Sequence, residues 1–365
     1  MFSILPAPDL SNGFWESGRV KVMILAAGLG TRLRPLTEAC PKPLLPLVLQ
    51  PILAHVLAQL QAQGVEEVII NLHHQATQIR QWLENRRQWG LRFHLSYEPE
   101  ILGTAGGIKR VEALLHDAPF AVINADVLVD LDLRAVWQWH CQRGAMVTMV
   151  VRPDAAARTY GPVLVDATDQ VLRINDRPCV NAPGVGQEMI FTGMQIVSPE
   201  VLQWIAPERC LSTTADIYPA LIAQHRAVYG YRHAGYWMDV GVPERYRQAH
   251  WDMLNGALGA QWQQRLPPGS RVALQADTPW ASAYGLIIIP PVVIGSGVEL
   301  APGVRLGPYA VLGSGCQIGA GAVIREAVLG EAVHVAPEVR LYRCILGTGV
   351  SVHTPGLLRD VVWST

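Results

Sequence analysis

Charge is scarce in this sequence: only 16% of its 365 residues are charged, and the net charge is −1. With no long charge run and no basic surface in prospect, a nucleic-acid partner is not expected. Cysteines are few and scattered, at Cys40, Cys141, Cys179, Cys210, Cys316 and Cys344. No pair has C-x-x-C spacing, so a disulfide framework is not expected, and reduced thiols in a cytoplasm are. No window reaches about 18 uninterrupted apolar residues, so no membrane span is expected. Residues 1–18 lack a basic start followed by an apolar core, which argues against a secretory signal. At this length about two domains are expected, and half of the residues are hydrophobic, enough for large cores.

Two familiar phosphate-binding signatures are also missing. Near the start, the apolar run Val22–Leu25 breaks into Gly28 and Gly30. No Gly-Lys-Ser/Thr triplet follows, which excludes a P-loop, and Leu33 stands where the dinucleotide fingerprint needs its third glycine. What remains is a buried strand feeding a glycine turn, with Thr31, Arg32, Arg34 and Lys42 close behind. Exposed N–H groups beside a hydroxyl and three cations make a phosphate cradle in physical terms. A Gly-x-Gly alone is more often an ordinary turn.

Downstream, helix and strand patterns alternate. Helical faces are expected over 51–63, 75–87, 104–115 and 133–142, and strands over 68–71, 92–97, 120–124 and 145–151. That alternation predicts an α/β, Rossmann-like, mostly parallel sheet with helices on both faces. Ligands of such sheets sit at the carboxyl ends of the strands, which puts the Gly28 loop and the residues after Asn124 on one rim. The stretch 153–237 is less regular, with short strand-like pieces at 163–165, 171–172 and 189–197 as candidate sheet additions. A helical pattern over 246–264 and Pro267-Pro268-Gly269 lead out of this region.

Then a second pattern begins. Ile294, Leu300, Leu306, Leu312, Ile318 and Ile324 recur every six residues, and Val298, Val304, Ala310, Cys316, Ala322 and Val328 keep the same beat four places on. A five-residue step leads to Leu329, after which Val335 and Leu341 resume. This is a hexapeptide repeat of roughly ten units, about three coils of a parallel β-helix. Its end coils need cover, so homo-oligomer formation through the β-helix is expected. The expected domains are an extension over 1–19, a catalytic domain over 20–250, a helical linker over 251–289 and the β-helix over 290–365.

The string from Leu25 to Thr37, closed by Pro41-Lys42-Pro43, resembles the signature of sugar-phosphate nucleotidylyltransferases. Three further strings carry the same resemblance: Pro119 to Leu128 around Asp126, Gly235 to Gly241 around Asp239, and Glu98 to Gly107. The resemblance covers most of the chain and extends to the left-handed parallel β-helix that ends many such enzymes. It implies NTP and sugar 1-phosphate as substrates and Mg2+ as cofactor, held by Asp126 and Asp239. Leu25, Ala26, Ala27, Gly28, Gly30 and Thr31, with Gly103, Thr104 and Gly106, would then meet the nucleotide. Arg32 and Lys42 would act on its phosphates as catalytic residues beside Asp126. Asn124, Thr192 and Gly193 would meet the sugar, and Asp176 and Arg177 its phosphate, Arg177 standing where the family commonly has lysine.

Taken singly, each string also has an ordinary reading: an Asp after a strand caps a turn, and a glycine-rich string starts a helix. Among relatives, mannose-1-phosphate guanylyltransferases look nearest, so GDP-mannose from GTP and mannose 1-phosphate is the first expectation. Glucose-1-phosphate and aminosugar-phosphate nucleotidylyltransferases, and a non-catalytic nucleotide-sugar-binding relative, stay open. His73-His74 is read as a helix-start surface rather than a metal pair. Left-handed β-helices also host acyl-CoA transfer, for which His334 and His353 are the available bases. With no insertion loop to build an acyl-CoA cleft, a scaffold role is expected instead.

Overall fold

A computed structural model describes residues 20–85, 90–155, 157–175, 185–274 and 285–364. The chain forms two compact units: one takes the chain up to Gly28 together with Val56–Trp237, the other takes Leu29–His55 and the chain from Met238 on.

The first unit is built on a nine-stranded sheet. Strand β1 (Lys21–Leu25) lies between β2 (Glu67–Leu72) and β4 (Phe120–Asn124), and β3 (Arg92–Tyr97) flanks β2, all parallel. Val22, Met23 and Ile24 have no exposed surface, as a central strand covered on both faces requires. Met23, Ile69 and Val122 lie side by side in register and share one core with Ala105 and Ile108 of the helix Gly103–Arg110. Register sets Leu25 beside both Asn71 and Asn124. The glycine turn and the segment after Asn124 therefore leave the same rim, as expected.

Beyond β4 the sheet turns mixed. The long strand Gln187–Val197 pairs antiparallel with β4, and carries Val147–Arg152 and Pro162–Val165 antiparallel on its other side. Val171–Ile174 extends that edge, while Val228–Arg232 pairs parallel with Val147–Arg152. The irregular middle of the chain is thus sheet extension. The expected third helix is broken at Val111 into Gly103–Arg110 and Glu112–Leu115.

In the second unit the hexapeptide region forms three faces of six, five and four strands. Val292 pairs with Ala310 one coil on, but Ala310 with Ala327 and Ile345 with Val362, so the coil shortens by one residue and stays short. The five-residue step therefore recurs, between Leu341 and Leu346 as between Ile324 and Leu329. It also moves the inward beat to Ala327 and Val333, and Val328, expected on that beat, points outward. Strands continue to Val362–Trp363, so the stack exceeds the roughly three coils expected. Glycines stack at one corner for want of room: a Cβ on Gly313 would lie 2.3 Å from the Gly330 carbonyl oxygen.

Val293, Val311, Val328 and Ile345 point away from the coil interior, yet each is at most 4% exposed. The helix Pro243–Leu254 docks on this side, where Arg247 donates to the Arg343 carbonyl at 3.0 Å and Trp251 packs on Tyr309. The same helix grips the hairpin Pro46–Leu47/Gln50–Pro51. His250 Nδ1 accepts from the Val48 N–H at 3.2 Å, and the Tyr246 hydroxyl donates to the Pro46 carbonyl. From the other side His55 Nε2 donates to the Leu47 carbonyl at 2.9 Å. The turn itself has φ of 46° at Val48 and 67° at Leu49, a conformation that favours Asn-Gly. Such strain at a β-branched residue persists only when surroundings impose it, and Val48 is completely buried. No helix among the described residues is long and apolar enough to cross a membrane.

Burial holds His55 down to a pKa of about 4, and burial with the nearby His55 holds His250 down to about 3. Both imidazoles fold neutral, whereas in the unfolded chain each titrates near 6.5. Below that value the unfolded state binds more protons, so stability is lost as pH falls from about 6.5 toward about 4, by about 1.4 kcal/mol per pH unit for each histidine. Urea unfolding between pH 6.5 and 5 should show this slope, and His250→Gln should remove about one proton's share of it. An unchanged slope in that variant contradicts the assignment.

Candidate active site

In the first unit the rim is laid out by strand ends. The Ala125 N–H donates to the Leu25 carbonyl at 3.0 Å, which ties the segment carrying Asp126 to the end of β1. The Ala26 N–H is taken by Asn71 Oδ1 at 2.8 Å. Ala26 and Ala27 are buried; Gly28 is exposed, and a Cβ there would meet nothing within 4 Å. Of the glycines expected to meet the nucleotide in this unit, Gly28, unlike Gly103 and Gly106, has open space for a ligand to approach the main chain. Asp126 is half-buried at the start of the turn that follows β4.

Asn124 and Gly193 meet: Gly193 has φ +83°, and a Cβ there would lie 2.7 Å from Asn124 Nδ2. Thr192 is turned into the sheet, its hydroxyl donating to the Val150 carbonyl at 2.8 Å while its carbonyl accepts from Trp237 Nε1. Gly103 and Gly106 have a packing role. Their Cβ atoms would lie 2.5 Å from the Leu211 carbonyl oxygen and 2.3 Å from that of Arg209. Thr104 Oγ1 accepts from the Thr213 N–H at 2.8 Å, so the segment 209–213 closes over this helix start. His73 Nδ1 hydrogen-bonds the Glu98 carbonyl at 2.8 Å, in keeping with a structural role. Asp176 and Arg177 lie outside the described residues.

In the second unit, Gly30 (φ 65°) starts the short helical turn Thr31–Leu33. Thr37 Oγ1 donates back to the Gly30 carbonyl at 2.9 Å, and a Cβ on Gly30 would press Thr37 at 3.0 Å and Lys42 at 3.3 Å. Thr31, Arg32 and Arg34 are exposed along this loop, and Lys42 is half-buried where the chain turns again after Pro41. Arg32 and Asp239 come together at Gly241, where a Cβ would lie 2.9 Å from both Asp239 carboxylate oxygens and 3.2 Å from Arg32 Nη2. Among the described residues no group of three or more His, Cys, Asp and Glu is placed to cage a metal. Asp126 and Asp239 each offer a carboxylate, the kind of oxygen donor that suits Mg2+ when phosphate oxygens and water complete its shell.

Asn71, Glu98, Thr37 and Gly241 were not singled out in the sequence as site residues. Gly241 had a readable signal, a glycine two places from a candidate aspartate; Asn71 and Glu98 become visible only through each other, 27 residues apart, and Thr37 only through its bond to the Gly30 carbonyl.

A family model described as nucleotidyl transferase matches residues 21–256, and a bacterial transferase hexapeptide model of six repeats matches residues 291–326. The chain belongs to the nucleotidyl transferase family. It is 29% identical over 362 residues to a UTP–glucose-1-phosphate uridylyltransferase of Synechocystis, covering 94% of this chain and 91% of that one. It is 30% identical to a mannose-1-phosphate guanylyltransferase of Mycobacterium tuberculosis, over 78% of this chain and 77% of that protein. Among solved structures, HddC from Yersinia pseudotuberculosis superposes with a TM-score of 0.56 at 26% identity, over 64% of this nucleotidyltransferase and 99% of HddC.

Since Gly241 has no room for a side chain, Gly241→Ala should push Asp239 and Arg32 out of place while leaving the fold intact. Displacing reacting groups by about 1 Å can reduce turnover up to about a hundredfold, and a loss of roughly tenfold or more is expected here. Pyrophosphate release, read beside the melting temperature, checks this. Unchanged turnover would mean that the Asp239–Arg32 arrangement is not used in the reaction.

Proposed function

We propose that this nucleotidyltransferase makes a nucleotide sugar and pyrophosphate from an NTP and a sugar 1-phosphate, with GTP and mannose 1-phosphate as its substrates. The observation that carries the reading is the open main chain at Gly28, on a strand end tied by one hydrogen bond to the Asp126 segment. A phosphate oxygen of the sugar attacks the α-phosphorus of the NTP, and the bond to pyrophosphate breaks with its electron pair leaving on the pyrophosphate oxygen. Such a displacement needs no covalent enzyme intermediate, so its rate comes from positioning and charge neutralisation. Amides from Gly28 to Thr31 with the Arg32 guanidinium take the β- and γ-phosphates, and Lys42 faces the charge on the α-phosphate. Asn124 and Gly193 hold the sugar. Asp126 and Asp239 are the carboxylates that would hold Mg2+, which would supply charge neutralisation to the transferring phosphate.

The guanosine reading is supported by relatives named as guanylyltransferases and by the likeness of residues 119–145 and 235–239 to that group. A specific observation favours a second reading: a relative matched over 91% of its length, against 77% for the guanylyltransferase of Mycobacterium tuberculosis, is named for UTP and glucose 1-phosphate. Self-association is assigned to the β-helix, whose last coils leave Leu357 59% and Trp363 44% exposed.

Pyrophosphate release from GTP, UTP, dTTP, CTP and ATP against mannose, glucose and N-acetylglucosamine 1-phosphates separates these readings. The GTP and mannose 1-phosphate pair should be fastest; a fastest rate with UTP and glucose 1-phosphate would replace it. Asp126→Ala should lower turnover at least about a hundredfold, the scale of losing a key electrostatic group. Near-normal turnover in that variant would remove Asp126 from the mechanism. Sedimentation should give a species larger than the monomer, and a monomer at all concentrations would refute the β-helix contact.

A further inference from the structure

Glu98 is a charged residue with no exposed surface, at the end of β3 in the first unit. A buried carboxylate is expensive unless hydrogen bonds satisfy it. Both of its oxygens are used: Oε1 accepts from Asn71 Nδ2 at 2.8 Å, and Oε2 accepts from the Leu102 N–H at 3.0 Å. Asn71, itself 2% exposed, takes the Ala26 N–H on its other end. One continuous line of hydrogen bonds therefore runs from Ala26 through Asn71 and Glu98 to Leu102. At one end is the strand end that leads into the open Gly28 turn; at the other is the residue that caps the helix Gly103–Arg110. The line admits no bulk beside it. A Cβ on Gly107 would lie 2.7 Å from Glu98 Oε1 and 2.8 Å from Asn71 Nδ2.

We infer that Asn71 and Glu98 are positioning residues, a buried strut that sets the spacing between the Leu25–Gly28 turn and the Gly103 helix start for the NTP. The inference rests on the reading of Gly28 as a nucleotide-approach turn. Both side chains are buried, so the strut acts through the backbone it fixes. Its direction is set by chemistry: the Ala26 N–H needs an acceptor at position 71, the Leu102 N–H needs an acceptor at position 98, and between them one donor must face one acceptor.

That polarity makes the inference testable by exchange. Glu98→Gln sets amide hydrogens against the Asn71 amide, and Asn71→Asp sets carboxylate against carboxylate. In Asn71→Asp/Glu98→Gln each contact is restored with the central bond reversed. The new carboxylate accepts from both Ala26 and the new amide, whose oxygen keeps the Leu102 N–H. Each single variant should lower kcat/KM for the NTP roughly tenfold, within the range of coupled neighbours, and leave KM for the sugar 1-phosphate within about twofold. The double variant should return to within about threefold of the parent. Direct calorimetric binding of GTP and UTP, measured in parallel, should follow the same pattern.

A double variant that folds with the parent's melting temperature but keeps the singles' NTP defect would overturn the strut. So would single variants that lose stability with NTP kinetics and affinity unchanged. Should the singles fail to fold, the double variant decides alone: parental NTP affinity supports the strut, and its loss or failure to fold overturns it. Parent protein that binds NTP without releasing pyrophosphate would defeat the catalytic reading, while the binding comparison would still test the strut. Parent protein that binds no NTP would defeat both.

Discussion

The parallel pairing of Lys21–Leu25 with neighbours on both sides governs the rest of the first unit. Its register brings Leu25, Asn71 and Asn124 to one rim, and the chain leaves that rim with backbone groups the ladder no longer serves. Buried groups of this kind must find partners. Asn71 meets the Ala26 N–H and Leu25 meets the Ala125 N–H, and Gly28, two residues beyond Ala26, is left open. The proposed phosphate cradle rests on this strand geometry: the ladder ends at Leu25, and Gly28 follows three residues on.

Glycines near these positions serve different ends, and only the structure separates them. Gly28 has open space, whereas Gly103, Gly106 and Gly107 are small because Leu211, Arg209, Glu98 and Asn71 press on them. Gly241 and Gly193 are small because Asp239 and Asn124 do. A string such as Gly103-Thr-Ala-Gly-Gly107 thus records close packing of the segment 209–213 and of a buried carboxylate.

Much of the fold was legible because it is local. Val22–Leu25 and Phe120–Asn124 are apolar runs of strand length, and the six-residue beat from Ile294 announces a β-helix before any pairing is seen. The strand 189–197 was readable but its direction was not, since an apolar run does not encode whether its neighbour is parallel. The second five-residue step, at Leu346, was hidden because valine and leucine suit inward and outward places alike; Val328 was misplaced for the same reason. The Val48-Leu49 turn was invisible, as bulky residues ordinarily avoid positive φ, and what imposes it is the burial of Val48 and the hold of His250 on Val48 and of Tyr246 on Pro46. The strut was out of reach because Asn71 and Glu98 are 27 residues apart, and a glutamate in a polar stretch gives no sign that it will be buried.

The most direct measurement follows oxygen. With sugar 1-phosphate labelled by 18O in its nonbridging phosphate oxygens, attack by that phosphate on the NTP keeps all of the label in the nucleotide sugar. The released pyrophosphate is unlabelled, and mass spectrometry of both products reads the result. Label in pyrophosphate, or release of inorganic phosphate in its place, would contradict transfer of a nucleotidyl group to the sugar phosphate.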